Sequence, residues 1–277
     1  MQSSILITGC STGIGLCAAK TLQARGWLVI ASCRQKKDVE ALESQGLKHV
    51  IELDLNDEIS IESGFNQALE IANGKLDALF NNGAYGQPGA VEDLTTKALR
   101  LQFESNVFGT HALTRLAVKQ MLQQGNGRIV QNSSVLGLVA MPFRGAYNAS
   151  KFALEGLTDT LRLELKGSSV TVSLIEPGPI ESRFRANALV ALKKHVDIKA
   201  SRHQQGYDAA IERLSASESN TRFTLPADAV VKKLIHALEA KRPKLRYYVT
   251  FPTYLMAFLK RILPFSWLDP LLIKGGN

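Results

Sequence analysis

The chain predicts a doubly wound α/β fold, a seven-stranded parallel sheet with helices on both faces, and three observations carry that reading. Short β-branched runs alternate with helical stretches along most of its 277 residues. Several of the runs are apolar at nearly every position, as strands buried on both faces are. A glycine cluster stands where the first run meets the first helical stretch. Alternation of this kind calls for right-handed crossovers, which place helices on both sides of a parallel sheet.

The strand-like runs are residues 3–8, 27–33, 49–53, 76–81, 128–131, 170–176 and 245–250. Helical stretches between them include 13–25, ended by Gly26, and 96–124, ended by Gly125. Glycine readily takes the left-handed turn that closes a helix. Two segments break the alternation. Residues 179–225 form a long insertion after the sixth run, rich in charge and poor in strand signal. From Phe251 onward the chain is apolar but cut by Pro252, Pro264 and Pro270. Excursions at the carboxyl edge of such a sheet commonly serve as lids or binding loops.

Bulk properties remove whole classes. With 45% hydrophobic and 21% charged residues the composition is that of an ordinary globular protein. The first residues read as a strand that begins at once, with no basic region before an apolar core, so no signal peptide is expected. Cys10, Cys17 and Cys33 are odd in number and lack CxxC spacing, which fits free thiols in a reducing compartment and a cytoplasmic location. Net charge is +8, from 33 basic and 25 acidic residues. The basic residues are scattered pairs such as Lys36-Lys37, Lys193-Lys194 and Lys260-Arg261, without a stripe or interleaved aromatics. A solvated surface is expected, and no nucleic-acid partner.

The first run leads into Thr8-Gly9-Cys10-Ser11-Thr12-Gly13-Ile14-Gly15. Glycines here permit a tight turn and let a pyrophosphate approach the backbone, where a helix dipole and free N–H groups hold the anion. Gly9, Ser11, Thr12, Gly13, Ile14 and Gly15 are therefore candidate cofactor-binding residues, although their Gly-x-x-x-Gly-x-Gly spacing departs from G-x-G-x-x-G. The expectation is one dinucleotide-binding domain over residues 1–277. Within it, 179–225 forms a substrate-loop insertion and 251–277 an apolar C-terminal segment. The second run ends Ala31-Ser32-Cys33-Arg34, with no carboxylate to take a ribose diol. Arg34 can instead bind a 2′-phosphate bidentately, so NADP is expected in preference to NAD.

Tyr147 and Lys151 lie four residues apart at the start of a helical pattern and so share a face. A close cation lowers an acid's pKa by about 1–3 units, which would bring the phenol toward proton exchange with an alcohol or carbonyl. Thirteen residues before Tyr147 stands Ser134, whose hydroxyl could stabilise charge on a substrate oxygen. Ser133 competes with it for that role. Asn106 sits mid-helix among apolar residues, where an amide is normally a satisfied core group.

In order and spacing these pieces resemble the short-chain dehydrogenase/reductase family, from Ser3 to about Thr250. The ordered set is Thr8–Gly15, Asp54-Leu55, Asn81-Asn82-Gly83-Ala84, Asn106, Ser134, Tyr147-x-x-x-Lys151 and Pro177-Gly178. The resemblance implies a Rossmann-type fold and a catalytic tetrad of Asn106, Ser134, Tyr147 and Lys151, with Asn106 supporting a water relay through its backbone. It further implies Asp54 and Leu55 near adenine, Asn81 near the adenosine ribose, Gly83 among the cofactor-binding residues, Lys151 on the nicotinamide ribose, and Pro177-Gly178 beside nicotinamide. No metal ligand set is expected. Two departures stand out. Asn81-Asn82-Gly83-Ala84 replaces the family's Asn-Asn-Ala-Gly, a swap of small residues, and the threonine after Pro-Gly is missing, which leaves Ser182 as the candidate for its contact. The Ala31–Arg34 tip and the stretch from Gly137 to Tyr147 are similar to the hydroxysteroid and retinol dehydrogenase-like branch and to bacterial aldehyde-reducing relatives.

The implied activity is NADP(H)-dependent interconversion of an apolar aldehyde or ketone, steroid- and retinoid-like bodies included, with its alcohol. The substrate wall is expected from 85–91, 136–143 and the insertion, through Leu136, Leu138, Val139, Met141, Phe143 and Phe184. The competing reading makes these residues core or dimer surface. A non-catalytic NADP(H)-binding sensor on the same fold is the alternative function. An extended-fold epimerase or dehydratase would want a longer chain and a different glycine spacing. The expected partners are a small apolar substrate and further copies of the chain. Residues 251–273 either cap the chain's own cleft or a partner subunit, the reading we favour, or make peripheral membrane contact through an apolar face, with Lys260 and Arg261 at anionic head groups.

Overall fold

Seven strands form one sheet: β1 Ser4–Ile7, β2 Leu28–Cys33, β3 His49–Glu52, β4 Ala78–Asn81, β5 Gly127–Asn132, β6 Val170–Glu176 and β7 Arg246–Tyr248. All pairings are parallel, in the order β3-β2-β1-β4-β5-β6-β7. The computed structural model describes residues 2–216 and 223–276; Met1, Asn277 and residues 217–222 of the expected insertion lie outside the described residues. The helices are α1 Gly13–Ala24, α2 Lys36–Ser44, α3 Glu58–Ile71, α4 Thr96–Phe103, α5 Thr110–Gln124 and α6 Gly145–Glu164. After them come α7 Phe184–His195, α8 Gln204–Ser215, α9 Asp228–Glu239, α10 Phe251–Ile262 and α11 Phe265–Gly276.

The apolar strand runs have a simple cause. Successive side chains on a strand point to opposite faces, and here both faces meet helices. Ile5, Ile7 and Val29 pack with Ala18 and Leu22 of α1, Leu42 of α2 and Leu234 of α9. Leu6, Ile30 and Leu79 pack on the other side with Phe65 of α3 and Leu113 of α5. Every residue of β1 and of β4 is buried.

The chain works outward from β1 to β3, then returns to lay β4 beside β1, with Ile7 in register with Ala31 and Phe80. Strand order therefore reverses between β1 and β4. The crevice outside the carboxyl ends of strands at such a reversal is where doubly wound sheets bind ligands. The loops after both strands carry the residues that the sequence singled out.

Two features differ from expectation. The single helix expected over 96–124 is divided into α4 and α5 by a π-helical stretch, Glu104–Gly109, which contains Asn106. One wider turn barely disturbs apolar periodicity, so the pattern hides it, and such turns concentrate at functional sites. The described part of the insertion holds two helices, α7 and α8, packed through Leu192, Tyr207 and Leu214. Its base is closed where Glu181 N–H donates to the Leu225 carbonyl at 3.0 Å and Leu225 N–H to the Pro179 carbonyl at 3.2 Å. At the C-terminal end, Leu268 and Leu272 of α11 are buried against Val135, Leu136 and Val139. Among the described residues no helix is long and apolar enough to cross a membrane.

Candidate active site

A cavity of about 670 Å³ opens at the β1/β4 crevice. Its floor at one end is the loop from β1 into α1, and Gly9, Ser11, Thr12, Gly13 and Ile14 all line it. Gly9 has φ of +70°, and a Cβ there would stand 2.7 Å from the Gly83 Cα, so the two loops can touch only through glycine. Helix α1 begins with no side-chain cap from Thr12 and no acidic residue in its first turn. Its first amides and dipole thus face the cavity without an internal anion, which fits a dinucleotide's pyrophosphate. Gly15 does not line the cavity; it is buried in the first turn of α1 against the Gly9 carbonyl. Ser182 stands beside Gly13 on the cavity wall.

Asn82, which the sequence reading passed over, organises this end. Its Nδ2 donates to the carbonyls of Thr8 (3.0 Å) and Gly9 (3.2 Å), and its Oδ1 accepts from Asn132 Nδ2 at 2.9 Å. The Thr8 hydroxyl accepts from the N–H of Asn82 and of Gly83, at 2.9 and 2.8 Å. The tips of β1, β4 and β5 are thereby locked together through one amide. The only sequence signal was its position inside Asn81-Asn82-Gly83-Ala84.

The remaining cofactor candidates fall in two places. Gly83, Pro177 and Gly178 line the cavity. Gly178 is needed there sterically, since a Cβ would fall 2.1 Å from Thr250 Oγ1. Arg34 is exposed just beyond the tip of β2, outside the cavity lining. The Cys10 N–H donates to the Ser32 carbonyl at 2.8 Å, so that tip adjoins the glycine loop. Asp54 and Leu55 follow β3: the Asp54 carboxylate accepts from Asn56 N at 2.9 Å, and Leu55 packs on the core. Asn81 is buried, and its Nδ2 donates to Thr114 Oγ1 at 2.8 Å.

Ser134, Tyr147 and Lys151 meet on the cavity wall. Ser134 ends the segment after β5, Tyr147 lies in the first turn of α6 and Lys151 one turn later. The geometry separates the two serines: Ser134 lines the cavity wall close enough to Tyr147 for its hydroxyl to act on the phenol, whereas the Ser133 hydroxyl faces Gly137. Burial pushes the Tyr147 phenol up to about 12, and only the nearby Ser134 hydroxyl opposes it. Burial also pushes Lys151 down to about 8, with the Glu155 carboxylate pulling the other way. The expected lowering of Tyr147 by Lys151 is thus corrected. The Lys151 ammonium donates to the Asn132 carbonyl at 2.7 Å and stands 5.7 Å from the Tyr147 ring centre. Desolvation of the partly buried phenol outweighs so indirect a cation.

Asn106 does not reach the cavity. Its Nδ2 donates to the Tyr85 carbonyl (3.0 Å) and Ser150 Oγ (3.2 Å), and its Oδ1 accepts from Tyr85 N–H at 3.1 Å. The side chain thereby ties the loop after β4 to α6, three residues from Tyr147. Of the expected apolar wall, Leu136, Met141 and Phe184 line the cavity, and the Phe184 ring packs edge-on to Tyr147 at 5.3 Å. Leu138, Val139 and Phe143 do not. Val139 is buried under α11, and Phe143 packs on His203 and Tyr207. Three arginines that the sequence reading left aside, Arg144, Arg185 and Arg213, line the cavity as well.

Comparison with known proteins shows the family and the fold. Residues 3–192 match the family model described as short chain dehydrogenase. The uncharacterized oxidoreductase YbbO of Escherichia coli (strain K12) is 41% identical over 272 residues, covering 98% of this chain and 94% of that protein. An NADPH-dependent 3-dehydrocapnine reductase of Ornithobacterium rhinotracheale is 29% identical, with 97% of this chain and 95% of that protein covered. Among solved structures, a short chain dehydrogenase/reductase from Burkholderia phymatum in complex with NAD superposes with a TM-score of 0.78. It is 26% identical and covers 94% of this chain and 92% of its own.

Proposed function

As the chain belongs to the short-chain dehydrogenase family, we propose that it interconverts an apolar aldehyde or ketone and its alcohol with NADP(H), Tyr147 acting as acid/base. The observation that carries this reading is the meeting of Ser134, Tyr147 and Lys151 on the wall of one cavity that also takes in the uncapped start of α1. When bound, the dinucleotide supplies or accepts the hydride. The start of α1 would hold its pyrophosphate, Arg34 its 2′-phosphate, and Lys151 its nicotinamide ribose.

The chain's own residues manage the proton. A phenol held up to about 12 keeps its proton at neutral pH, which suits donation to a carbonyl oxygen during reduction. Ser134 fixes the phenol and offers its hydroxyl where negative charge grows on that oxygen. Asn106 acts as a positioning residue, since it holds the Tyr85 loop against α6. Phe184, Leu136 and Met141 would exclude water from the reacting centre. NADP in preference to NAD rests on Arg34 and on the absence of any carboxylate between Trp27 and Lys37. The name of the NADPH-dependent relative from Ornithobacterium rhinotracheale points the same way.

The test is steady-state oxidation of NADPH and of NADH against a panel of aliphatic aldehydes, aromatic aldehydes, ketones and steroids. Turnover of apolar members with NADPH at least tenfold above NADH is expected. No turnover across the panel with either cofactor would favour a cofactor-binding sensor instead.

A further inference from the structure

The three arginines of the cavity come from distant parts of the sequence: Arg144 directly precedes α6, Arg185 lies on α7 and Arg213 on α8. They are near enough to repel one another. Burial pushes Arg144 down to about 10, with the positive Arg213 and Arg185 adding to the effect. Arg213 is lowered by burial and by Arg185. Two like charges in a half-buried wall, as Arg185 and Arg213 are, are unfavourable unless something offsets them. Arg185 and Arg213 make no ion pair among the described residues.

Among the described residues, two carboxylates of the neighbouring loop are occupied elsewhere. Glu92 pairs with Arg202 at 2.6 Å and with His203 at 2.7 Å. Asp93 accepts from Tyr207 at 2.6 Å and from Ser201 at 2.7 Å. Those bonds also pin α8 to the loop after β4, which holds Arg213 toward the cavity. A guanidinium pair is well suited to a planar or tetrahedral anion, which it can grip bidentately. The rest of this end is apolar, with Leu136, Met141, Leu255 and Met256 in the same lining.

We propose that Arg185 and Arg213 bind an anionic group, a carboxylate or a phosphate, carried by an otherwise apolar substrate. The proposal deepens the function proposed above and rests on it for the reaction, but its binding step can be measured without turnover. The substrate class is then an oxo acid or phosphorylated carbonyl compound with an aliphatic body, rather than a wholly apolar aldehyde or ketone. Arg144 lies three residues from Tyr147, so the anion would anchor the substrate near the reacting carbon.

Calorimetric titration of the full chain, saturated with NADP⁺, with octanoate, octyl phosphate and 1-octanol tests the idea. At least one anion should bind tenfold or more tighter than the alcohol, and the arm that does so identifies the anion. In Arg185→Gln/Arg213→Gln, and to a lesser degree in Arg213→Gln alone, that preference should shrink to within twofold. NADPH affinity should stay within twofold of the unmodified protein. Equal affinity for octanol and both anions, an anion preference that survives the double substitution, or arginine variants that lose NADPH instead would each overturn the proposal. Anion binding as described, in a protein that reduces no carbonyl compound, would uphold this site and defeat the reaction proposed above.

Discussion

The Lys151 ammonium lies 5.7 Å from the centre of the Tyr147 ring and gives its hydrogen bond to the Asn132 carbonyl, not to the phenol. The two groups therefore titrate in opposite directions from their usual values, both driven by burial. Tyr147 is held up to about 12 and Lys151 down to about 8. Below pH 8 the site holds a neutral phenol and a charged ammonium; above it the ammonium is lost first. The pH profile of kcat/KM for NADPH-driven reduction should be flat near neutrality and fall through about pH 8. A rate that climbs between pH 8 and 9 would show that loss of a proton from Lys151 is not the limiting ionisation.

Cofactor choice rests on one exposed side chain. Arg34→Ala should raise the KM for NADPH about tenfold and leave that for NADH within twofold, because only the former carries a 2′-phosphate to lose. Parallel changes in both constants would place Arg34 outside the cofactor site.

Arg246 of β7 joins three carboxylates: its Nη1 contacts Glu155 and Glu176, and its Nη2 contacts Asp159 at 2.5 Å. Glu176 is fully buried at the end of β6, next to Pro177-Gly178, and burial with Glu155 already pushes it up to about 8. Removing one partner of a buried pair strands the other, at a cost of about 3–5 kcal/mol. Arg246→Met should lose stability of that order in denaturant unfolding at pH 8. Glu176 has a raised folded pKa, so the folded state binds the extra proton and stability falls as pH rises from about 5 to 8. The variant should make that fall steeper, and should recover part of its loss at pH 5.5. An unchanged unfolding midpoint at pH 8 would deny the cluster a structural role.

The C-terminal helices should act on substrate rather than on cofactor. Leu268 and Leu272 press α11 onto Val135, Leu136 and Val139, and α10 lends Leu255 and Met256 to the cavity. Leu268→Ala/Leu272→Ala is expected to raise the KM for bulky apolar substrates severalfold while NADPH affinity holds. Unaltered kinetics would leave these helices without a capping role. The outer face carries exposed Phe258, Phe265 and Trp267 beside Lys260 and Arg261. Flotation with anionic vesicles, lost in Trp267→Ser, is the outcome that membrane contact through the same segment requires.

How much of this was legible before the structure depends on how local each signal is. The sheet was readable because strands buried on both faces must be apolar throughout, as Ile5-Leu6-Ile7 and Ala78-Leu79-Phe80 are. Ser134, Tyr147 and Lys151 could be picked out because two of them share one helix turn and the third precedes that helix. The π-helical stretch at Asn106 was hidden, since a single wide turn leaves apolar spacing almost intact. The direction of the Tyr147 shift was misread because burial is a property of the folded chain, while the neighbouring lysine is visible in the sequence. The arginine cluster escaped for a different reason. Arg144, Arg185 and Arg213 span 70 positions of the chain, and only the docking of α7 and α8 over the cleft brings them together.

The most direct test of the account is Tyr147→Phe, measured for turnover and for NADPH binding on the same preparation. The substitution removes one hydroxyl and leaves the ring that packs on Phe184. Turnover of a carbonyl substrate that the unmodified protein reduces should fall by about 10²–10⁴-fold, the usual worth of a positioned proton donor. NADPH affinity, by fluorescence titration, should change by less than twofold. Turnover that stays within tenfold of the unmodified protein, with cofactor binding intact, would contradict the assignment of Tyr147 as the acid/base.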